Sequence, residues 1–257
     1  MNADRSSVTF EDFKQQMEYL HHNGFVAVSL EKIFAEHEYW KTDETRTDGP
    51  PRDIRKKVVL TFDDGDASNF YYAMPTLKEI GFSATFFVTI NEIGKPGRMD
   101  WSMIYDLSRQ GMGIGSHGLS HHFLTAHTNY TVLNELILSK QILEKYTRKR
   151  VDFLSVPQGF YNKRILTIAR DVGFKAACVS DAGMNDFTAQ DQFLLKRYAM
   201  RRRYDLKTFK SIACGRPCLA VTAAEGVNKT LRNVLGPEVY GRFKKLRNQE
   251  KKIEERP

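Results

Sequence analysis

The sequence predicts an α/β protein built on parallel strands, closed as a barrel or left as an open sheet, and three observations carry that prediction. Short apolar, β-branched runs alternate with stretches of helical period between Phe25 and Ser180, a spacing that implies parallel pairing through crossover helices. The unusual polar groups Asp63-Asp64, His117, Pro157-Gln158-Gly159 and Asp181 each follow one of those runs. In a parallel barrel the carboxyl ends of the strands share one face, where active sites are built. The chain also has the material: 257 residues, 41% hydrophobic and 12% aromatic, fit one large packed barrel or two small domains.

Taken in order, Phe10, Phe13, Met17 and Leu20 share a helical face behind a Thr9 cap, and Asn23-Gly24 stops the helix. Phe25 to Leu30 reads as a strand and Ser29 to Trp40 as a short helix, and the polar stretch 41–57 with Gly49-Pro50-Pro51 reads as a surface loop. A strand at 57–62 leads to a helix ending at Gly81, with Pro75 expected in its first turn. Ala84 to Ile90 is the next strand, Asp100 caps a helix through Gln110, and Gly111 to Ser116 is a glycine-rich strand. Thr131 to Tyr146 forms a helix with Leu133, Leu136, Ile137 and Leu143 on one side. Then come a strand at Phe153 to Val156, a helix from Asn162 to Val172 stopped by Gly173, and a strand at Phe174 to Ser180. Lys196 to Arg203 is expected as a last strand and 205–213 as a helix. Val227 to Lys252 is charged, sparsely apolar and helical in propensity, interrupted by Gly236-Pro237. The domain division expected is therefore a barrel at 1–215 and a basic helical extension at 216–257.

The formal net charge is +8, with much of the excess at Lys196, Arg197, Arg201 to Arg203 and the lysines of the tail. That bias suits an anionic partner such as acidic polysaccharide or a membrane surface, or simply a solvated basic face. Nucleic acid is disfavoured, since apart from Tyr198 and Tyr204 the arginine cluster lacks interleaved aromatics. Cys178, Cys214 and Cys218 are odd in number and lack the second pair of a zinc site, so reduced thiols are expected. No apolar run reaches the ~20 residues of a membrane span, and the first residues lack the apolar core of a secretory signal. A cytoplasmic location is the expectation for the chain as written, and an extracytoplasmic one if the N-terminus is shortened.

Asp63 and Asp64 stand side by side where an apolar strand ends. Two such carboxylates resist joint ionisation unless a cation or a donor lies between them. Alone, the stretch reads as a cation site or as a solvated turn. His117 and His121, four residues apart, would point the same way on one helical turn, the spacing that two nitrogen ligands of a metal need. Alone, they read equally as surface. Together with the Asp pair they make a two-histidine, one-carboxylate set with open positions for water.

Thr61-Phe62-Asp63-Asp64-Gly65 and His117-x3-His121, with Leu124 three residues on, resemble the first two motifs of the polysaccharide deacetylases, the NodB-homology enzymes of carbohydrate esterase family 4. The resemblance spans roughly residues 57–200. It implies a distorted (β/α) barrel and a hydrolase that removes N-acetyl groups from N-acetylhexosamine units of a polysaccharide or cell-envelope glycan, one that is anionic on the charge argument. It makes Asp63 the general base and Asp64, His117 and His121 the ligands of one divalent metal, most often Zn2+, with Co2+ or another ion as alternatives. Ser155-Val156-Pro157-Gln158-Gly159 aligns with the Arg-x-Pro-x-Gly motif, which gives the Gln158 backbone N–H the support of the oxyanion, and Asp181 aligns with an acidic position of the fourth motif.

The chain departs from that pattern in three places. Ser155 replaces the arginine that pairs with the base, leaving Arg197 and Arg201 as candidate substitutes, and Gly118 replaces a hydroxyl residue that would brace the loop. The Leu-x-His motif that supplies the general acid is missing, since no histidine follows His127; His122 and His127 are the candidates left. Two alternatives stay open: a glycan-binding protein on this fold that does not turn over, and hydrolysis of a non-sugar C–N bond. The start of the chain resembles exopolysaccharide-associated members, in which a further strand precedes the first helix. A fragment or shortened product without that first strand is the expectation.

Overall fold

The computed structural model describes residues 8–42, 56–186, 189–219 and a discontinuous set of positions from 221 to 240. Residues 43–55 of the loop expected at 41–57 and most of the tail expected as helix lie outside the described residues, while 41–42 belong to the helix before that loop and Lys57 to the strand after it. Helix α1, Phe10–His22, starts at Thr9, whose hydroxyl accepts the Asp12 N–H at 3.1 Å, and buries Met17 and Leu20. After it come β1 (Val26–Val28), α2 (Leu30–Thr42), β2 (Lys57–Val59), β3 (Thr61–Phe62) and α3 (Met74–Glu79). The middle is β4 (Thr85–Val88), α4 (Trp101–Arg109), β5 (Gly113–Ser116) and α5 (Asn129–Thr147). Last are β6 (Phe153–Ser155), α6 (Lys163–Asp171), β7 (Ala176–Cys178) and α7 (Leu206–Ala213).

Among the described residues, the pairings between these strands are parallel. The order β3-β4-β5-β6-β7 makes a five-stranded curled sheet, a half-barrel, and β1-β2 makes a separate pair. Strand β4 shows how the layers form. Phe86 and Phe87 point to opposite faces, as adjacent strand residues must, and both are fully buried. Phe86 joins Leu77, Ile104, Leu107 and Leu136 beneath the helices. Phe87 joins Phe34, Phe153 and Leu195 on the other face. Room for that ring requires Gly115, where an added Cβ would lie 2.4 Å from it.

Four sequence expectations are corrected. The strand expected at 57–62 breaks at Leu60 into β2 and β3, which pair with different partners, β1 and β4. The helix ending near Gly81 begins before Pro75, with a widened turn at Asn69–Ala73 in which the Met74 N–H reaches back to Asn69. Proline has no N–H to give the carbonyl four residues earlier, and widening the turn accommodates that loss. Leu133 is exposed, and the buried side of α5 is Val132, Glu135, Leu136, Ser139 and Leu143. The strand expected at Lys196 to Arg203 is instead a short parallel contact: Leu195 bridges Cys178, and its N–H bonds the Ala177 carbonyl at 3.0 Å. Pairing ends where the Arg197 N–H bonds the Asp181 carbonyl. Of the tail, Val221 is buried and the Tyr240 ring lies 5.5 Å from that of Phe160.

Candidate active site

The site forms at the carboxyl ends of β3, β5 and β6. Leaving β3, the chain turns sharply through Asp64 and Gly65, at φ 72° and 75°. Asp is among the few non-glycine residues that tolerate that region. The turn places Asp63 and Asp64 on the rim, and the Gly65 carbonyl is tied down by the Met99 N–H at 2.9 Å.

His117, 3% exposed, follows β5. Its Nδ1 lies 2.8 Å from the Ser155 carbonyl oxygen. A carbonyl only accepts, so Nδ1 carries a proton, and Nε2 faces Asp64, donating to it when the ring is charged and offering its lone pair to a cation when the ring is neutral. Segment 117–121 is a loop with left-handed Gly118 and His121, φ 77° and 62°. The two rings therefore converge through a tight loop, and the helical turn expected from their spacing is absent. The brace that Gly118 lacks comes from elsewhere. Ser116 Oγ accepts the Gly118 N–H at 3.1 Å, and the buried Glu135 carboxylate accepts the N–H groups of Leu119 and Ser120 at 3.0 Å each, plus the Ser120 hydroxyl at 2.5 Å.

Asp64 Oδ1 lies 3.3 Å from His117 Nε2 and 3.1 Å from His121 Nε2, and the two Nε2 atoms are 3.1 Å apart. Three donors each ~2.0–2.2 Å from one ion at tetrahedral angles lie roughly 3.3–3.5 Å apart, so this set fits a divalent cation with little movement. Burial alone would raise the Asp64 pKa, but hydrogen bonds from His117 and His121 hold it far below the usual carboxylate range. That carboxylate stays ionised.

Asp63 points to a different partner. Arg197 grips it with two parallel bonds, Nη1 to Oδ1 at 2.8 Å and Nη2 to Oδ2 at 3.0 Å. The same guanidinium donates to Ser155 Oγ at 2.9 Å, and that hydroxyl donates to Asp63 Oδ2 at 3.1 Å. Burial again pushes the Asp63 pKa up, and the charges of Arg197 and His117 overcome it, leaving it below its ordinary value. Arg197, one of the two arginines named as substitutes for the missing motif arginine, reaches Asp63. Ser155 is small enough to leave the space that its guanidinium fills.

Of the remaining candidates, Gln158 touches this centre directly. Gln158, left-handed at φ 59° and ψ −2°, sets its side-chain amide against His121. Asp181 turns its carboxylate to the Tyr161 hydroxyl, which donates at 2.8 Å. His122 and His127 face each other with ring centroids 5.7 Å apart. Sequence reasoning missed Glu135 and Tyr161. Glu135 was discoverable, because a carboxylate on the apolar stripe of a long helix is costly unless it has donors to bind.

A family model described as polysaccharide deacetylase matches residues 51–177. Bacillus subtilis YxkH, a protein named for that family, is 26% identical over 192 residues, which is 75% of this chain and 63% of YxkH. The peptidoglycan-N-acetylglucosamine deacetylase PgdA of Listeria monocytogenes is 29% identical over 126 residues, 48% of this chain and 25% of PgdA. The chain thus spans less than two thirds of either relative. In fold it is similar to the Streptococcus pyogenes deacetylase PplD, solved with acetate, at a TM-score of 0.71 and 22% identity, covering 84% of this chain and 90% of that one. The matched model and the sequence relatives thus make residues 51–177 a polysaccharide deacetylase domain, and the chain shares its fold with solved deacetylases.

Proposed function

We propose that the chain is a metal-dependent hydrolase that removes N-acetyl groups from N-acetylhexosamine units of a polysaccharide or cell-envelope glycan. One observation carries the reading. A carboxylate and two imidazole nitrogens meet at ion-binding spacing, and the adjacent carboxylate is held apart from them by an arginine.

Asp64, His117 and His121 would hold the cation, with Zn2+ favoured by two nitrogen ligands and one oxygen. Bound there, a divalent ion supplies Lewis acidity toward water and the acetamide carbonyl. Asp63 accepts the proton of the attacking water, and its lowered pKa keeps it ionised and ready. Arg197 and Ser155 fix the orientation of that carboxylate. The Gln158 backbone N–H supports the charge that develops on the carbonyl oxygen. Asp181 stands at the rim with Tyr161, whose hydroxyl carries a proton toward it.

Metal analysis and acetate release from N-acetylated chito-oligosaccharides test the reading. The purified chain is expected to carry about one divalent ion, to lose turnover when treated with a chelator and to regain it with Zn2+. Turnover that survives complete removal of the ion rejects it. Glycan binding without acetate release would favour a binding role for the same rim.

A further inference from the structure

We infer that the Gln158 side chain is the outer partner of His121, the group that turns its Nε2 toward the cation site. This rests on the ion-binding reading given above and concerns one residue that the reading used only through its backbone.

The two histidines are held differently. His117 bonds a main-chain carbonyl, which can only accept and so admits one ring tautomer. His121 bonds a side-chain amide, with the Gln158 amide nitrogen 3.1 Å from Nδ1. An amide has a donating and an accepting end of nearly the same shape. With the NH2 end toward the ring, Nδ1 is the acceptor and Nε2 carries the proton, which suits the bond from Nε2 to Asp64 Oδ1 at 3.1 Å. When Nε2 gives its lone pair to a cation the proton belongs on Nδ1, and the amide must present Oε1. A half-turn of the terminal torsion does this without moving the chain. Gln158 therefore serves both states of His121, where the carbonyl at His117 serves one.

The backbone at Gln158 gives an independent reason to look for a role in the side chain. Its φ of 59° lies in the left-handed region, where glycine sits without strain and glutamine does not. A glutamine at a position that glycine would fill more easily has a side chain with something to hold, and among the described residues its amide hydrogen-bonds a proposed ligand. Partners of this kind orient a ligand ring, and losing one typically costs about 10–100-fold in metal affinity.

The test is Zn2+ affinity of the full chain, measured by competition with a chromogenic chelator, alongside thermal melts of the zinc-free proteins. Gln158→Leu keeps the backbone demand and removes the amide, and is expected to bind Zn2+ about 10–100-fold more weakly. Gln158→Glu retains an acceptor, and is expected to bind within roughly threefold of wild type, or more tightly. Gln158→Gly is expected to melt no lower than wild type while losing as much affinity as the leucine variant. That split separates a positioning role from a structural one. Wild-type affinity in both the Leu and Gly variants overturns the inference, and so does a Glu variant as weak as Leu, which would make the amide a donor in the loaded state. A wild-type chain that takes up no Zn2+ sinks the proposed function along with it, so the two failures are distinguishable.

Discussion

A carboxylate is drawn out of water at each end of the same sheet, with opposite results. At the carboxyl end Asp63 sits between Arg197, Ser155 and His117, and its pKa falls. At the amino end Glu31 reaches under β4 and β5, where it accepts the Thr85 hydroxyl at 3.0 Å and occupies the space a Cβ on Gly113 would need. Burial raises the Glu31 pKa, and its bonds from Ser29, Thr85 and its own backbone offset only part of that. Burial sets the size of the penalty on a charge, and the partner decides whether it is overcome. Neutral hydroxyls soften the loss of solvent; a guanidinium in bidentate geometry reverses it.

Substitutions at the two ends sharpen this contrast. The largest effect is expected from Asp63→Asn, which keeps the shape and the hydrogen-bonded frame but cannot take a proton. Acetate release should fall about 10²–10⁴-fold while bound metal, measured by elemental analysis, stays near one equivalent. Equal loss of metal would show that Asp63 is a ligand, breaking the division of labour between the two aspartates. Next is Arg197→Ala, expected to lower kcat/KM roughly a hundredfold by freeing the base from its orientation. It should also destabilise the fold by roughly 2–3 kcal/mol, less than the ~3–5 of a fully buried pair because the Asp63 side chain remains 32% exposed. Adding Ser155→Arg to that variant supplies a guanidinium from β6 and should recover part of the activity. No recovery would mean that the direction of approach to Asp63, and not the charge alone, matters.

The amino end gives smaller changes. Gly113→Ala forces the Glu31 carboxylate off Thr85 and should cost about 1–3 kcal/mol in urea unfolding. Glu31→Gln has a sign fixed by its pKa. A carboxyl whose folded pKa is raised contributes fully below its unfolded value and loses that contribution as pH rises through the folded one. The glutamine variant should therefore melt higher than wild type at pH 8 and about equally at pH 4. A variant that melts lower at both would show that the charged form is welcome there after all, and the contrast with Asp63 would fail.

How far the sequence revealed this site depends on the distance over which each signal acts. Thr9, Asp100 and Asn162 were legible as helix starts because a cap bonds its own chain a few residues on. The motifs at Asp63-Asp64 and His117-x3-His121 were legible because their spacing is local. The left-handed loop that joins the two histidines was not, since it depends on Glu135 in the following helix. The break at Leu60 was equally hidden: a continuous apolar run carries no mark of its strand partners, and β1 and β4 claim different parts of it. Arg197 was reachable only as one of two arginines, because 134 residues of chain separate it from Asp63.

That separation has a consequence for assembly. Strands β3 and β7 are the two borders of the sheet, and the stretch alongside β7 sends Arg197 across the mouth to Asp63 and to Thr61 Oγ1 at 3.3 Å. One side chain thus both fastens the first border to the last and steadies the proposed base. A chain emerging from the ribosome completes the three proposed ligands well before it makes this clasp. The cation could then be captured early, while hydrolytic competence would arrive only when the final stretch docks, so a half-made molecule would be loaded but idle.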